Sequence, residues 1–263
     1  MERLLMLRLE AAACGAEAHV NGVPVLACAE PGGRAAASVH EYTASGDNRL
    51  ALVVAPAGVA AAPAPRVATG RERARLDLAL LRPGQAVTDA NVRLLASKAW
   101  TPSEGEAFEA PLELALDVTL PVSFPRWRWL DAPPVPEQPA TERLALDFVQ
   151  RLAADFSRGD PERYLAAARL RFEELGAAYQ CGAEALVQRF RDHLQGLYAA
   201  KALGMIPPVA GEFRLRRIAG GRLVECLHAS GEPALRTAPG ADGSTSAWPL
   251  RLAMVDNRIY VLR

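Results

Sequence analysis

The side chains best suited to acid–base chemistry in this sequence are a few tyrosine, histidine, glutamate and arginine residues in its C-terminal half. A carboxylate in an apolar cavity acquires a raised pKa and can abstract a proton next to a carbonyl, while a tyrosine hydroxyl opposite it stabilises the enolate. Polar groups that point into a space between helices and a sheet would form such a site. The candidates are Tyr164, Tyr179, His193, Glu225, His228 and Arg251.

The pattern around these candidates also fits an ordinary packed core. Glu225 alternates with Leu223 and Leu227, so its strand face belongs either to a cavity or to the core. His193 follows Asp192 at the edge of an apolar helix stripe, where a histidine half in water is as natural as a general base. We favour a filled core with tyrosine hydroxyls that reach the surface, and keep catalysis as the alternative.

Motifs with a defined catalytic or metal geometry do not occur in the sequence. It has no glycine-rich phosphate loop, no HExxH and no GxSxG. Cys226 and His228 share a strand face at spacing i, i+2, but no third metal ligand accompanies them. Cys14, Cys28 and Cys181 are scattered without CxxC spacing, which is typical of small hydrophobic residues in a reducing compartment. No metal and no cofactor is predicted.

Trp127, Arg128 and Trp129 lie in the densest aromatic cluster of the chain, Phe124–Trp129. Tryptophan and arginine dominate interface hot spots, so this cluster is a candidate interface for a partner chain or a stacking surface for a ligand. The alternative is that these side chains are buried beside the following linker, because large aromatic residues next to a linker usually pack against what it joins. The buried alternative is the favoured one.

The C-terminal half predicts three amphipathic helices followed by an antiparallel sheet. Apolar residues recur every four positions in Thr141–Phe156, and Gly159-Asp160-Pro161 ends this helix and starts the next. Beyond Pro208 the period changes to two, and Gly220-Gly221 joins two strands into a hairpin. Helices followed by strands indicate an α+β domain.

The run "DFVQRLAADFSRGDPERYLAAA" resembles the first two helices of the nuclear-transport-factor-2-like superfamily, a cone-shaped α+β fold. The resemblance covers roughly the last 120 residues and rests on helix order and this run. It implies a cavity between a curved sheet and the helices, and functions that range from isomerases and dehydratases to binding modules.

The N-terminal half alternates with period two throughout, which predicts an antiparallel β-sandwich. Its Asn21-Gly22 dipeptide is a strong hairpin signal. The strings "HVNGVPV" and "VHEYTASGDNRLALVV" are similar to the jelly-roll, immunoglobulin-like sandwich found as a sugar-binding-type domain in glycoside hydrolase family 2. The resemblance implies the fold alone.

The sequence of 263 residues is long enough for two domains. We predict a β-sandwich over 1–129, a proline-rich linker over 130–140 and an α+β domain over 141–263. Thirty basic and 30 acidic residues balance, so neither nucleic acid nor membrane is a predicted partner. Arg8 and Glu10 interrupt the apolar N-terminal run, which argues against a signal peptide and favours a cytoplasmic protein.

No group of reactive side chains is predicted to come together at one place. We therefore predict a non-catalytic binding or assembly module, which contacts another protein or forms a homodimer with a second copy of itself. Two alternatives remain open. One is an isomerase or dehydratase that acts on a small molecule in the C-terminal cavity. The other is carbohydrate binding by the N-terminal sandwich, with Trp127 and Trp129 as stacking surfaces.

Overall fold

The computed structural model describes residues 4–56, 63–82, 84, 91–120, 122–240, 243–256 and 258–263. The chain divides into two compact units, Met1–Arg126 and Trp127–Arg263. Among the described residues there are four antiparallel sheets and four α-helices, so the predicted mixture of antiparallel sheet and helix is confirmed.

In the described part of the first unit, ten strands form two four-stranded sheets and a two-stranded ribbon. One sheet has the order β4-β1-β7-β8, the other has the order β10-β5-β2-β3, and the ribbon pairs β6 with β9. The strands are β1 Leu4–Ala12, β2 Ala16–Val20, β3 Val23–Cys28, β4 Gly32–Ser38, β5 Gly46–Val54, β6 Ala64–Val67, β7 Arg73–Leu81, β8 Val92–Trp100, β9 Ala107–Ala110 and β10 Leu112–Leu120.

The alternation of the sequence places one face of these strands in the core. Leu5, Leu7 and Leu9 of β1 are buried, and β1 contacts β2 and β3 of the other four-stranded sheet. The predicted turn between β2 and β3 is present, with positive φ at both Asn21 and Gly22. Such a turn matches the right-handed twist of the two strands it joins.

The described residues of the second unit begin with a short 3-10 turn, Arg128–Asp131, and continue with four α-helices and a four-stranded antiparallel sheet. The sheet order follows the chain, β11-β12-β13-β14. The elements are α1 Pro139–Ser157, α2 Glu162–Ala167, α3 Arg169–Tyr179, α4 Ala183–Ala199, β11 Phe213–Ile218, β12 Leu223–His228, β13 Arg251–Val255 and β14 Arg258–Val261.

The second predicted helix is divided into α2 and α3 at Ala168. This fully buried residue has φ −95° and ψ 6°, outside the helical region. The bend allows both pieces to contact β14. The prediction of three helices is therefore wrong by one, because a change of direction at a buried alanine leaves the apolar pattern intact.

The proline-rich segment is anchored to the sheet of the second unit. The Val135 N–H donates to the carbonyl of Gly221, and the Arg217 guanidinium donates to the carbonyl of Val135. Val135 is also part of the core of this unit. The segment that we expected to be a spacer is thus packed against the β11–β12 hairpin.

The core of the second unit fills the space between the helices and one face of its sheet. Phe156, Tyr164 and Phe172 of the helices pack in a single cluster with alternate strand residues such as Val224 and Leu252. Aromatic rings interlock in this layer, where Tyr164 stacks on Phe190 with 4.6 Å between ring centroids. None of the helices in the described ranges has the length and apolar character needed to cross a membrane.

Candidate functional site

Glu225 and Arg251, two of the six predicted site residues, are brought together by strand register. Glu225 lies directly opposite Arg216 on β11 and opposite Arg251 on β13. Its Oε2 accepts hydrogen bonds from Nε and Nη2 of Arg216 at 2.9 and 2.6 Å, and its Oε1 lies 3.3 Å from Nε of Arg251. Both carboxylate oxygens are therefore engaged by guanidinium groups, which leaves Glu225 a structural ion and not an available base.

The proposed pairing of this carboxylate with a tyrosine across a cavity is not formed. Val224 and Cys226 belong to the core beneath the helices, so Glu225, which alternates with them, is on the opposite face of the sheet. Tyr164 is in that helix-side core, and its hydroxyl accepts a hydrogen bond from Nη1 of Arg171 at 2.7 Å. The alternative of a shared cavity placed Leu223, Glu225 and Leu227 on the helix-facing side, whereas Val224 and Cys226 occupy that side.

The remaining three candidates lie apart from this cluster. His193 is exposed on α4, and Tyr179 is half-buried at the end of α3. His228 ends β12, where its Nδ1 is 2.7 Å from Oγ of Ser230 and its Nε2 is 3.1 Å from Glu212. The six candidates are thus distributed over several places, and they do not form a convergent site.

Trp127 and Trp129 are buried, with 0% and 1% of their surfaces exposed. The guanidinium carbon of Arg263 lies 5.8 Å from the ring centroids of both indoles, an arrangement that permits cation–π attraction to each. Neither indole presents a face to a ligand, so these two residues are not the stacking surfaces that the carbohydrate-binding alternative requires. The Arg128 side chain is half-exposed and donates to Glu173 at 2.9 Å.

A buried ion pair completes this tryptophan cluster, and it was not predicted from the sequence. Nη1 of Arg263, a residue that is 1% exposed, donates to Oε2 of Glu174 at 2.7 Å. The other oxygen of Glu174 accepts the backbone N–H of Arg128 at 2.6 Å. The pair links α3 to Arg263, the second residue after β14 and 89 positions from Glu174, and no local sequence pattern predicts a contact of that separation.

The described residues contain no group of three or more histidine, cysteine, aspartate or glutamate side chains arranged to hold a metal ion. Cys226, considered above as one of two metal ligands, is fully buried. Burial is the main cause that raises the pKa of its thiol, and the nearby charge of Glu225 raises it further. A thiol held in the protonated form is a poor metal ligand and a poor nucleophile. Cys14, Cys28 and Cys181 are also free thiols.

An open groove of about 470 Å³ runs between α1, α2 and β14 on the surface of the second unit. We call it the α1–β14 groove. None of the six predicted site residues lines it. Its lining consists of Leu144, Asp147, Phe148 and Arg151 from α1, Arg163, Ala166 and Ala167 from α2, and Arg258, Ile259 and Tyr260 from β14. It combines half-buried apolar side chains with exposed charged ones.

The arginines of the groove differ in how they are paired. Arg151 is 2.8 Å from Asp147, one helical turn earlier, and both side chains are more than half exposed. Nε of Arg163 donates at 2.6 Å to Asp155, a buried carboxylate that joins the end of α1 to α2. Arg258 is exposed and forms no ion pair with any residue that the structure describes. Three arginines and one aspartate therefore line the groove, and of the three arginines Arg258 alone has no acidic partner among the described residues.

The first unit has a hollow of about 520 Å³ on the outer face of the β4-β1-β7-β8 sheet. Its floor is made of small residues, and its charged lining residues include Glu10, Arg34, Arg73 and Arg75. Nε of Arg34 lies 3.3 Å from Oε1 of Glu10. Arg75 is paired with Asp77 at 2.8 Å. No aromatic side chain is among its lining residues in the described part of the unit, so it offers a sugar ring no stacking surface.

Comparison of this chain with family models, with curated proteins and with solved structures finds no match in any of the three.

Proposed function

We propose that the protein is a non-catalytic binding or assembly module and that the α1–β14 groove is its contact surface for a partner protein. One observation carries the proposal: the groove is open to solvent, whereas Glu225, Arg251 and Tyr164, which were expected to do chemistry, are engaged in structural contacts. A concave surface with an apolar floor and a polar rim has the composition of a recognition site.

The resemblances to known folds belong to the same proposal. We infer that the second unit is a helix-on-sheet domain of the nuclear-transport-factor-2-like type and that the first is a sandwich of the jelly-roll, immunoglobulin-like type. The shared core of helices and sheet in Trp127–Arg263 supports the former. The contacts between two four-stranded antiparallel sheets support the latter.

The isomerase or dehydratase alternative is less well supported by the geometry. Its base, Glu225, has both oxygens engaged by Arg216 and Arg251. Its phenol, Tyr164, is packed among aromatic rings on the other side of the sheet. A base and an electrophile separated by a sheet cannot act on one substrate atom, since both must lie within hydrogen-bond reach of it.

Site-specific photo-cross-linking tests the proposed surface in the cells that produce the protein. Benzoylphenylalanine is placed at Ala166, which is exposed and lines the groove, and in a control chain at Ala185, which is exposed on α4. We expect one discrete protein adduct from Ala166 and none of that mass from Ala185. Equal adducts from both positions, or no adduct from Ala166, would refute the groove as a contact surface.

A further inference from the structure

We propose that the occupant of the α1–β14 groove is an acidic, amphipathic segment of a partner protein. The inference rests on the proposed function and specifies the chemistry of the partner. Such a segment would place its apolar side chains on the floor of the groove and its carboxylates against the arginines of the rim. Helices with one apolar face commonly bind in grooves of this kind.

The floor of the groove supplies the apolar half of the argument. Leu144 and Phe148 lie one turn apart on α1, and Ile259 of β14 faces the same groove. All three are half-buried and pack against the core of the second unit, so their remaining surface is fixed in position. Covering this surface removes apolar area from water without ordering any flexible side chain, which favours binding.

The rim supplies the charge. Arg151, Arg163 and Arg258 line the groove with Asp147 as the single acidic lining residue, and Arg163 is already paired with the buried Asp155. The ion pair between Arg151 and Asp147 is exposed, and exposed pairs contribute little, so an incoming carboxylate can compete for this guanidinium. Arg258 has no acidic partner among the described residues and is the first anchor for an acidic side chain. The complementary partner is therefore anionic.

A second copy of the chain is the less suitable occupant. In an isologous dimer each surface patch faces the same patch of the other copy. The three arginines of one groove would then approach the three of the other, and like charges at an interface are repulsive. A nucleic acid is also disfavoured, because the groove floor is apolar and the chain as a whole has no net charge.

Fluorescence anisotropy with three labelled peptides tests the inference on the full chain. The first is a helix-forming peptide of about 18 residues with leucine and phenylalanine on one face and glutamate elsewhere. The second replaces every glutamate with lysine, and the third scrambles the first so that its apolar residues no longer share a face. We expect the acidic amphipathic peptide to bind at least about tenfold more tightly than either control.

Charge reversal locates the binding in the groove. Arg258→Glu should weaken binding of the acidic peptide by about five- to tenfold, and raising the salt from about 50 to about 300 mM should weaken it further. Arg189→Glu is the matched control, since Arg189 is exposed on α4 outside the groove, and it should change affinity by less than about twofold. Both arginines are exposed, and thermal melting of each variant verifies that it folds.

The outcomes separate the partner chemistry from the proposed function. Tighter binding of the lysine peptide, equal binding of the scrambled peptide or an unchanged affinity in Arg258→Glu overturns the inference. If the Ala166 cross-link forms but the acidic peptide does not bind, the groove is a contact surface for a partner of other chemistry. A cross-linked adduct at twice the mass of the chain would identify a second copy as the occupant and would also overturn the inference.

Discussion

The most demanding prediction concerns the buried ion pair between Glu174 and Arg263. Glu174→Gln removes the negative charge but keeps the size of the side chain. The amide can accept only through its oxygen, so its NH2 group must face either the Arg263 guanidinium or the Arg128 N–H, and both of these are donors. Arg263 is 1% exposed and would lose the carboxylate to which its Nη1 donates.

The expected cost of Glu174→Gln is large for a single substitution. Removal of one partner from a buried pair costs about 3–5 kcal/mol. The two indoles beside Arg263 still attract the cation, by about 1–2 kcal/mol, and this places the expected loss of unfolding free energy at the lower end, about 3 kcal/mol. For a unit of this size, that corresponds to a melting temperature lower by about 10 °C.

Denaturant unfolding followed by tryptophan fluorescence measures this loss, because Trp127, Trp129 and Trp248 lie in the second unit. Glu173→Gln is the matched control. Glu173 is adjacent, but it is 38% exposed and its pairs with Arg128 and Arg169 are on the surface, so its loss should stay below about 1 kcal/mol. The double variant Glu174→Gln/Arg263→Met removes both charges of this pair. Its loss of unfolding free energy should be about 2 kcal/mol smaller than the sum of the losses of the two single variants. A loss in the double variant equal to the sum of the two single losses, or a loss below about 1 kcal/mol for Glu174→Gln, would refute the reasoning.

Three further predictions address other parts of the chain. Glu225→Gln should lower the unfolding free energy by about 2–3 kcal/mol in urea denaturation, less than Glu174→Gln because Arg216 can turn toward water; a loss below about 1 kcal/mol would contradict a structural role. Gly159→Ala should lower the unfolding free energy by about 1–3 kcal/mol, since φ is +72° and the new Cβ would lie 2.8 Å from Cγ of Tyr198. Gly196→Ala, in α4 with no atom within 4 Å of the new Cβ, should raise the unfolding free energy by about 0.5–1 kcal/mol. Equal effects of the two substitutions in thermal melts would exclude this explanation. Burial raises the pKa of the Cys14, Cys28 and Cys226 thiols and so lowers their thiolate fraction. A disulfide-exchange reagent at about pH 8 should therefore modify Cys181 alone until the protein unfolds. Rapid reaction of two or more thiols in the folded protein would count against this burial.

Local patterns were sufficient to predict several elements. The nine-residue alternation of Leu112–Leu120 is a strand with the same bounds, and Gly220-Gly221 joins β11 to β12 with positive φ at both glycines. The four-residue period that begins at Leu144 is α1. These elements depend on turn chemistry and on the period of apolar residues, which neighbouring residues determine.

Contacts between distant residues were not predictable in the same way. Whether Glu225 faces the helices or the other side of the sheet depends on which face of β12 the helices cover, and Val224, Glu225 and Cys226 are all buried. A strand buried on both faces has no polar side to reveal its orientation. Arg263 and Glu174 likewise give no sign of each other in the sequence, since their contact is set by how α3 packs on β14.

The α1–β14 groove was missed for a related reason. Its apolar floor is read from the sequence as the ordinary core stripe of α1, and its arginines as solvated surface residues. The groove exists only because α2 and β14 place Arg163 and Arg258 beside that stripe. A surface assembled from three separate elements has no contiguous motif.

The cross-link at Ala166, compared in chains that carry Arg258→Glu or Arg189→Glu, tests the central claim most directly. The account predicts a discrete partner adduct that falls several-fold when Arg258 is reversed and stays unchanged when Arg189 is reversed. An adduct of equal yield in both backgrounds, or no adduct in the unmodified chain, would contradict it.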